Sequence, residues 1–247
     1  MGANIHTDIF ATENLYHYTR IGNAKSILGS LLFKLSKPCN QNDLNESFRD
    51  IIKCNDSALI PSILNILENY TQMSLTQDGR RKGFNISSMW GHYGDNGNGV
   101  CLVFYKAKLL DTVKRNTNVL VSPIKYVYSF ESDYIFNGVI SSIDEFFDWG
   151  KERLFFTKTD DWAHEQELRC ICLDKNVCQL SIGKCLKAII LCPTSIRPRP
   201  FESDDYRDLK SLTRLPIFVL SKYLDTYLLK DNNGEQISPK PIENYAF

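Results

Sequence analysis

The sequence predicts a single mixed α+β domain, largely antiparallel, built around two small packed sheets with flanking helices. Three observations lead there. Strand-like runs outnumber helical ones, several runs lie too close together for regular β-α-β crossovers, and no repeat or low-complexity linker divides the 247 residues. With 43% hydrophobic and 12% aromatic content, such a chain buries a sizeable core. The expected domain spans 1–247, with its core at about 15–229 and residues 1–13 and 231–247 peripheral.

Each element follows from its pattern. LYHYT reads as the first strand, followed by a helix from Ile21 to Leu32 whose apolar residues Ile21, Ala24, Ile27, Leu28 and Leu31 recur at helical spacing. LLFKLS is a second strand, ended by Pro38 and the polar run NQNDLNES. From about Asp56 to Met73 the residues Leu59, Ile60, Ile63, Ile66, Leu67 and Tyr70 trace one helical face. Pro61 is tolerated there only in the first turn, where its missing N–H has no intrahelical partner to lose. FNISS reads as a short strand, MWGHYGDNGNG as a helical turn closing in a Gly-rich bend, and GVCLVF as a buried strand. SPIKYVYSF is extended. ISSIDEFFDWGKERLFF is a helix with Ser141 or Ser142 at its N-cap and Glu145 adding negative charge to its first turn. QLSIG, LKAIILCPT, LPIFVLSKY and TYLLKD are strands, with a helix at Asp204 to Leu212.

Composition narrows the function classes. Twenty-nine basic residues balance twenty-nine acidic ones, so a nucleic-acid partner has no bulk electrostatic support. No stretch approaches the roughly 18 consecutive apolar residues of a membrane helix, and the start MGANIHTDIF lacks the apolar core of a signal peptide. A cytoplasmic location without membrane contact is the expectation. The eight cysteines (39, 54, 101, 170, 172, 178, 185 and 192) sit mostly in apolar strand patterns, as small buried hydrophobes do in a reducing compartment. Their spacing fails the C-x2-4-C pairing of zinc sites, and the four histidines are scattered, so no metal is expected. HEQEL lacks the second histidine of a zinc helix, and no G-x-S-x-G elbow is present. The bend GDNGNG precedes a strand and lacks the G-K-[ST] end of a phosphate loop; it reads as a turn.

The stretch DDWAHEQELRCIC carries the chemistry. If it is extended, Glu165, Glu167 and Arg169 line one side while Leu168, Cys170 and Cys172 line the other. The charged side is then a solvated edge or the wall of a site. His17, between Tyr16 and Tyr18 on the first strand, reads by itself as a core histidine, and Trp90, His92 and Tyr93 read as aromatic packing. Taken together with the late E-x-E, they supply aromatic faces for a flat ring, polar groups for a sugar and a carboxylate for a cationic transition state. Those are the requirements for cleaving an N-glycosidic bond.

The order LYHYT, NDLNES, ISSMWGHYGDNGNGVCLVF, KTDDWAHEQELR and LKAIILCP resembles a bacterial family of unknown function, number 2971, over about Leu15 to Leu229. W-x-x-E-x-E-x-R is the most specific part of that resemblance. More distantly, the same order resembles the ADP-ribosyltransferase superfamily, with its histidine on the first core strand, its serine-bearing central strand and its late E-x-E. That resemblance implies an ADP-ribosyltransferase-like fold and an enzyme that cleaves the nicotinamide–ribose bond of NAD and transfers ADP-ribose to an unknown protein or nucleic-acid acceptor. It implies Glu167 as the catalytic carboxylate, Glu165 as the residue addressing the acceptor, and His17 on a ribose of the nucleotide. Tyr18, Thr19, Ser87, Ser88, Trp90, His92 and Tyr93 would complete the nucleotide site, with Arg169 on a phosphate or on Glu167. The H-x-G dipeptide and the plain S-T-S of the superfamily are replaced here by H-Y-T and ISSM. Two alternatives stand beside it: a nucleotide or RNA-phosphate transferase on the same scaffold, and a non-catalytic ligand- or partner-binding module whose E-x-E-x-R is a structural salt-bridge ladder.

Overall fold

Strand β1 (Asn14–Thr19) and helix α1 (Ile21–Ser30) open the fold, in a computed structural model that describes residues 13–37, 58–115, 119–128, 142–223 and 226–237. Strands β2 (Leu32–Lys34), β3 (Thr71–Gln77) and β4 (Val100–Tyr105) follow, with α2 (Ile60–Asn69) and α3 (Ser87–His92) between them. Helix α4 (Lys106–Lys114) leads to β5 (Val119–Pro123) and β6 (Lys125–Val127). Next come α5 (Ile143–Phe156), β7 (Thr157–Thr159), a 3₁₀ segment (Asp160–Glu165), β8 (Glu167–Cys172) and β9 (Gln179–Ser181). The chain closes with β10 (Leu186–Leu191), a 3₁₀ turn at Pro200–Glu202, α6 (Asp204–Leu212), β11 (Ile217–Tyr223), β12 (Thr226–Lys230) and β13 (Gln236–Ile237). Hydrogen bonding orders nine strands as β13-β12-β11-β10-β4-β1-β3-β8-β5 and leaves two pairs, β2-β9 and β6-β7.

The α+β class and the antiparallel bias hold: the long ladders β1-β4, β10-β4, β11-β12 and β5-β8 are antiparallel, whereas the shorter β10-β11 and β6-β7 are parallel. The expected pair of small packed sheets is replaced by one nine-stranded mixed sheet and two short pairs. Ladder bonds between segments far apart in sequence set sheet membership, and local patterning does not encode them.

The chain divides into two compact units. The first comprises residues 1–33, 76–112 and 181–247. At its centre β4 lies between β1 and β10, and Val100 to Phe104 are fully buried. Apolar side chains on both faces are what a strand covered on both sides requires. Tyr16, Tyr18, Phe84, Trp90, Cys101, Ile190 and Phe218 belong to its core. The second unit comprises residues 34–75 and 113–180 and packs Ile63, Leu67, Tyr70, Phe146, Phe155 and Ile171 together. Its helix α5 is capped as expected, Ser142 Oγ accepting the Glu145 amide at 3.1 Å.

Several boundaries differ from the expectation. The helix read as running to Met73 stops at Asn69, and Thr71 opens the seven-residue strand β3. Its Thr71, Met73 and Leu75 are buried, so strand packing overrides the helical spacing. Pro61 lies in the first turn of α2. FNISS is not a strand: Ile86 is the extended residue before α3, which begins at Ser87. Helix α4 continues from β4 without being expected. Leu31 takes a left-handed conformation, φ 57°, and ends α1 just short of the expected Leu32. Asp56, Pro38, the run NQNDLNES, Ser141, His6, Cys39 and Cys54 lie outside the described residues.

Candidate functional site

The segment expected to be one extended strand is broken at Gln166. Asp160–Glu165 coils into the 3₁₀ segment, and Gln166 reverses the backbone with a left-handed φ of 48° and ψ of 45°. Only then does β8 begin, at Glu167. Glu165 and Glu167 therefore do not alternate along one strand. They converge because Lys158, on β7, stands between them: its Nζ lies 2.8 Å from Glu165 Oε2 and 3.0 Å from Glu167 Oε2.

Arg169 completes the cluster. Its Nε donates to Glu167 Oε1 at 2.7 Å, a terminal nitrogen donates to Oε2 at 2.9 Å, and the other terminal nitrogen donates to the Phe155 carbonyl at 2.9 Å. The Ser74 hydroxyl also hydrogen-bonds the Glu167 carboxylate, and the Glu167 amide donates to Tyr126 Oη at 2.9 Å. Tyr126 is the register partner of Lys158 across the β6-β7 pair. All four charged residues are buried, with exposures of 5% for Lys158, 3% for Glu165 and Glu167, and 1% for Arg169. Two carboxylates and two cations cancel, which is the condition for burying such a group at all.

Burial alone raises a carboxyl pKa. At Glu167 the nearby charges of Arg169 and then Lys158, with the Arg169 and Ser74 hydrogen bonds, overcome it and bring the value down to about 2. Tyr126 moves the other way: burial lifts its phenol to about 12, with the Glu167 and Glu165 charges adding to the rise. On the other side of β8, burial and then the Glu167 charge raise the Cys170 thiol to about 12. Both faces of β8 are thus interior, so its charged side is neither a solvated edge nor an open wall.

Trp162, half-buried in the 3₁₀ segment, presents its ring 5.3 Å from Lys158 Nζ and stacks on His164 with centroids 6.2 Å apart. Lys158, Ser74, Tyr126 and Trp162 were not among the residues predicted for the site. Only Trp162 was within reach of local spacing, as the first letter of W-x-x-E-x-E-x-R; Lys158 and Tyr126 are brought to Glu167 by the β6-β7 pairing, and Ser74 by the position of β3 beside β8.

The remaining predicted site residues lie in the first unit. His17 is half-buried and packs edge-on against Phe33, centroids 4.7 Å apart. Tyr18 and Thr19 are buried, and Tyr18 meets Trp90 edge-on at 5.0 Å. Trp90 is 4% exposed, donates Nε1 to the Phe84 carbonyl at 3.0 Å and sits in the hydrophobic core. Ser87 and His92 are exposed at the two ends of α3, while Ser88 and Tyr93 are half-buried. The structure thus groups Glu165, Glu167 and Arg169 within the second unit and Tyr18 with Trp90 within the first.

The Gly-rich bend has a partner that sequence reasoning missed. Asp95 and Asn96, each at φ 53°, and Gly97, at φ 85°, fold it back so that the Gly97 and Gly99 amides bond Gly94 O. Its carbonyls face a cation: Arg197 donates to Gly97 O at 3.3 Å, Gly99 O at 3.0 Å and Cys192 O at 3.2 Å, and pairs with Asp205 at 3.2 Å. A phosphate loop aims amides at an anion, so the turn reading of GDNGNG is upheld.

A family model described as "Protein of unknown function (DUF2971)" matches residues 89–170. That stretch runs from α3 through Arg169 and so takes in all four charged residues of the cluster and Tyr126 but not Ser74, a shorter span than the order of motifs suggested. No curated protein and no solved structure matches the chain. Among the described residues no helix is long and apolar enough to cross a membrane, and no group of three or more His, Cys, Asp or Glu side chains is placed to hold a metal ion.

Proposed function

We propose that the protein is a non-catalytic ligand- or partner-binding module, and that E-x-E-x-R is its internal salt-bridge ladder. The observation that carries this reading is the occupancy of Glu167. Both its carboxylate oxygens are engaged by Arg169, one also by Lys158, and the side chain is 3% exposed. A carboxylate that stabilises a developing ribosyl cation needs an oxygen facing the sugar and a charge not already neutralised. Here two cations of the chain itself hold that position. Trp90, placed in the core with its indole N–H bonded to a backbone carbonyl, is likewise spent on packing.

A second reading, ADP-ribosyl transfer from NAD, is favoured by one observation: Glu167 stays ionised, with its pKa at about 2, beside a second carboxylate. In that reading Lys158 must leave Glu167 before the nucleotide engages. The phosphate-transferase alternative has less support, because the guanidinium of Arg169 is committed to Glu167 and Phe155 O.

The test is purified protein incubated with NAD labelled in nicotinamide, with and without cell lysate. The module reading expects no nicotinamide release above the blank, and expects Glu167→Gln to lower thermal stability. Release by the wild type that disappears in a folded Glu167→Gln protein would establish the enzymatic reading instead.

A further inference from the structure

Four adjacent strands end together in the first unit. Asn14 of β1 is paired with Tyr105 of β4, Leu15 with Gln77 of β3, and Phe104 with Leu186 of β10. The segments beyond those ends therefore emerge side by side: residues 78–82 after β3, residues 106–108 after β4, and residues 184 and 185 before β10. They bring cations. Arg80, Arg81, Lys108 and Lys184 are exposed there, and Lys106 is half-buried. The acids on these segments are Asp78, held by Lys82 at 2.9 Å, and Glu13, held by Lys106 at 2.8 Å; Asp111 follows one turn along α4.

Lys187 is turned to the same end by an irregularity in the ladder. Strand β10 shifts register against β4 between Leu186, opposite Phe104, and Ala188, opposite Val103. A bulge of this kind re-aims a side chain. Here it sets Lys187 with Ala188 on the side of the sheet that carries Tyr105 and Asn14. The buried Lys187 ammonium donates to Asn14 Oδ1 at 2.9 Å and stands 4.9 Å from the centre of the Tyr105 ring, and Lys108 Nζ lies 4.1 Å from the same centre. Two ammonium groups drawn to one tyrosine repel each other, and a polyanion laid across this end relieves the repulsion. We propose that this end of the sheet is a docking surface for the phosphate backbone of a nucleic acid. The proposal rests on the binding-module reading and names the partner of that module.

The zero formal charge describes the whole chain, and a local excess of cations is compatible with it. Strands β3, β1, β4 and β10 are neighbours, so three steps of about 4.8 Å set the cations along a row of about 14 Å, roughly four nucleotide steps of a helical strand. A membrane-binding surface would add an apolar flank. Among the described residues the large exposed hydrophobics, Leu31, Leu32, Leu64, Tyr128, Ile196 and Leu212, all lie on other segments. The Tyr105 ring is engaged by two ammonium groups, so this face offers charge and no stacking platform. Contacts to phosphate position a partner without reading its sequence, and little sequence preference is expected.

The experiment is fluorescence anisotropy of short labelled single-stranded RNA, single-stranded DNA and duplex DNA of mixed sequence, titrated with the full chain from about 50 to 200 mM salt. The wild type should bind, with a log–log salt slope of about −2 to −3 for single strands, as three to four phosphate contacts give. Lys108→Glu/Lys184→Glu should weaken binding at least about tenfold and flatten the slope by about 1. Arg80→Glu/Arg81→Glu, on a different segment, should do the same. Arg20→Glu/Arg199→Glu makes an equal change of charge beyond the opposite ends of β1 and β10, where both side chains are 77% exposed. Binding should then fall less than about threefold. Thermal unfolding checks that each variant is folded. The tighter of the RNA and DNA arms identifies the source of the phosphate. No binding by the wild type, equal losses in all three variants, or equal affinity for polyglutamate overturns the proposal, as does binding to phosphatidylserine vesicles without binding to any oligonucleotide. Nicotinamide release by the wild type would refute the module reading, while the docking surface stands or falls on the anisotropy.

Discussion

Arg169 grips Glu167 by both carboxylate oxygens, at 2.7 and 2.9 Å, from two residues further along the same buried strand. The pair is local in sequence, but what makes it matter is its burial. A charged pair removed from water is worth little beyond what its geometry recovers, while a single member left behind is costly.

Replacing Glu167 with Gln should therefore destabilise the protein by about 3–5 kcal/mol, the loss expected when one partner of a buried ion pair is removed. Urea unfolding checks it. The double replacement Glu167→Leu/Arg169→Met should lose less than the single one, because it strands neither charge of that pair. A Glu167→Gln protein as stable as the wild type would mean the ladder does not stabilise the fold.

Acid should unpick the same ladder in a defined window. Glu167 titrates at about 2 in the folded chain against an ordinary 4.5, so its contribution is fully present above the unfolded value. That contribution is lost as pH falls from about 4.5 towards 2. Unfolding free energy measured across this range should fall more steeply for the wild type than for Glu167→Gln. Parallel curves would assign the acid sensitivity to other groups.

Gly83 lies against the ring of Tyr16. A Cβ built there lies 2.2 Å from Tyr16 Cδ2 and 3.0 Å from the Gln77 carbonyl, and Tyr16 is fully buried. Gly83→Ala should cost about 1–3 kcal/mol by overpacking. Gly22→Ala is the internal contrast, since nothing lies within 4 Å of its Cβ in α1. That change should be neutral or stabilising by up to about 1 kcal/mol. Thermal unfolding of the two variants decides.

Arg197 should control the Gly-rich bend. Its planar guanidinium serves three carbonyls and Asp205 together, an arrangement a lysine ammonium does not reproduce. Arg197→Lys should speed amide hydrogen exchange at about residues 94–99 by at least tenfold while leaving β8 protected. Unchanged exchange in the bend would show that its own turn bonds suffice.

Much of the fold was legible in local pattern. The central strand at GVCLVF, the proline in the first turn of α2, the Ser142 cap and the helix at Asp204–Leu212 all follow from short-range rules of burial, capping and periodicity. The same rules failed at Thr71–Met73, read as the end of a helix but the start of a strand, and at FNISS, read as a strand where only Ile86 is extended before the helix at Ser87.

The amino-acid sequence by itself determined that Glu167 and Arg169 would share one face of a strand, and that the chain would build a mixed α+β core from mostly antiparallel strands. Only the tertiary structure decided what those charges do. A left-handed Gln166 takes Glu165 off the strand, and the pairing of Lys125–Val127 with Thr157–Thr159 sets Lys158 against both carboxylates. Burial then turns a row of charges that could have met solvent or substrate into one that satisfies itself. The physical reason is that a charge carries no record in its own residue letter of the dielectric around it. That environment is set by partners far along the chain, and it separates an exposed carboxylate from one held ionised in the interior.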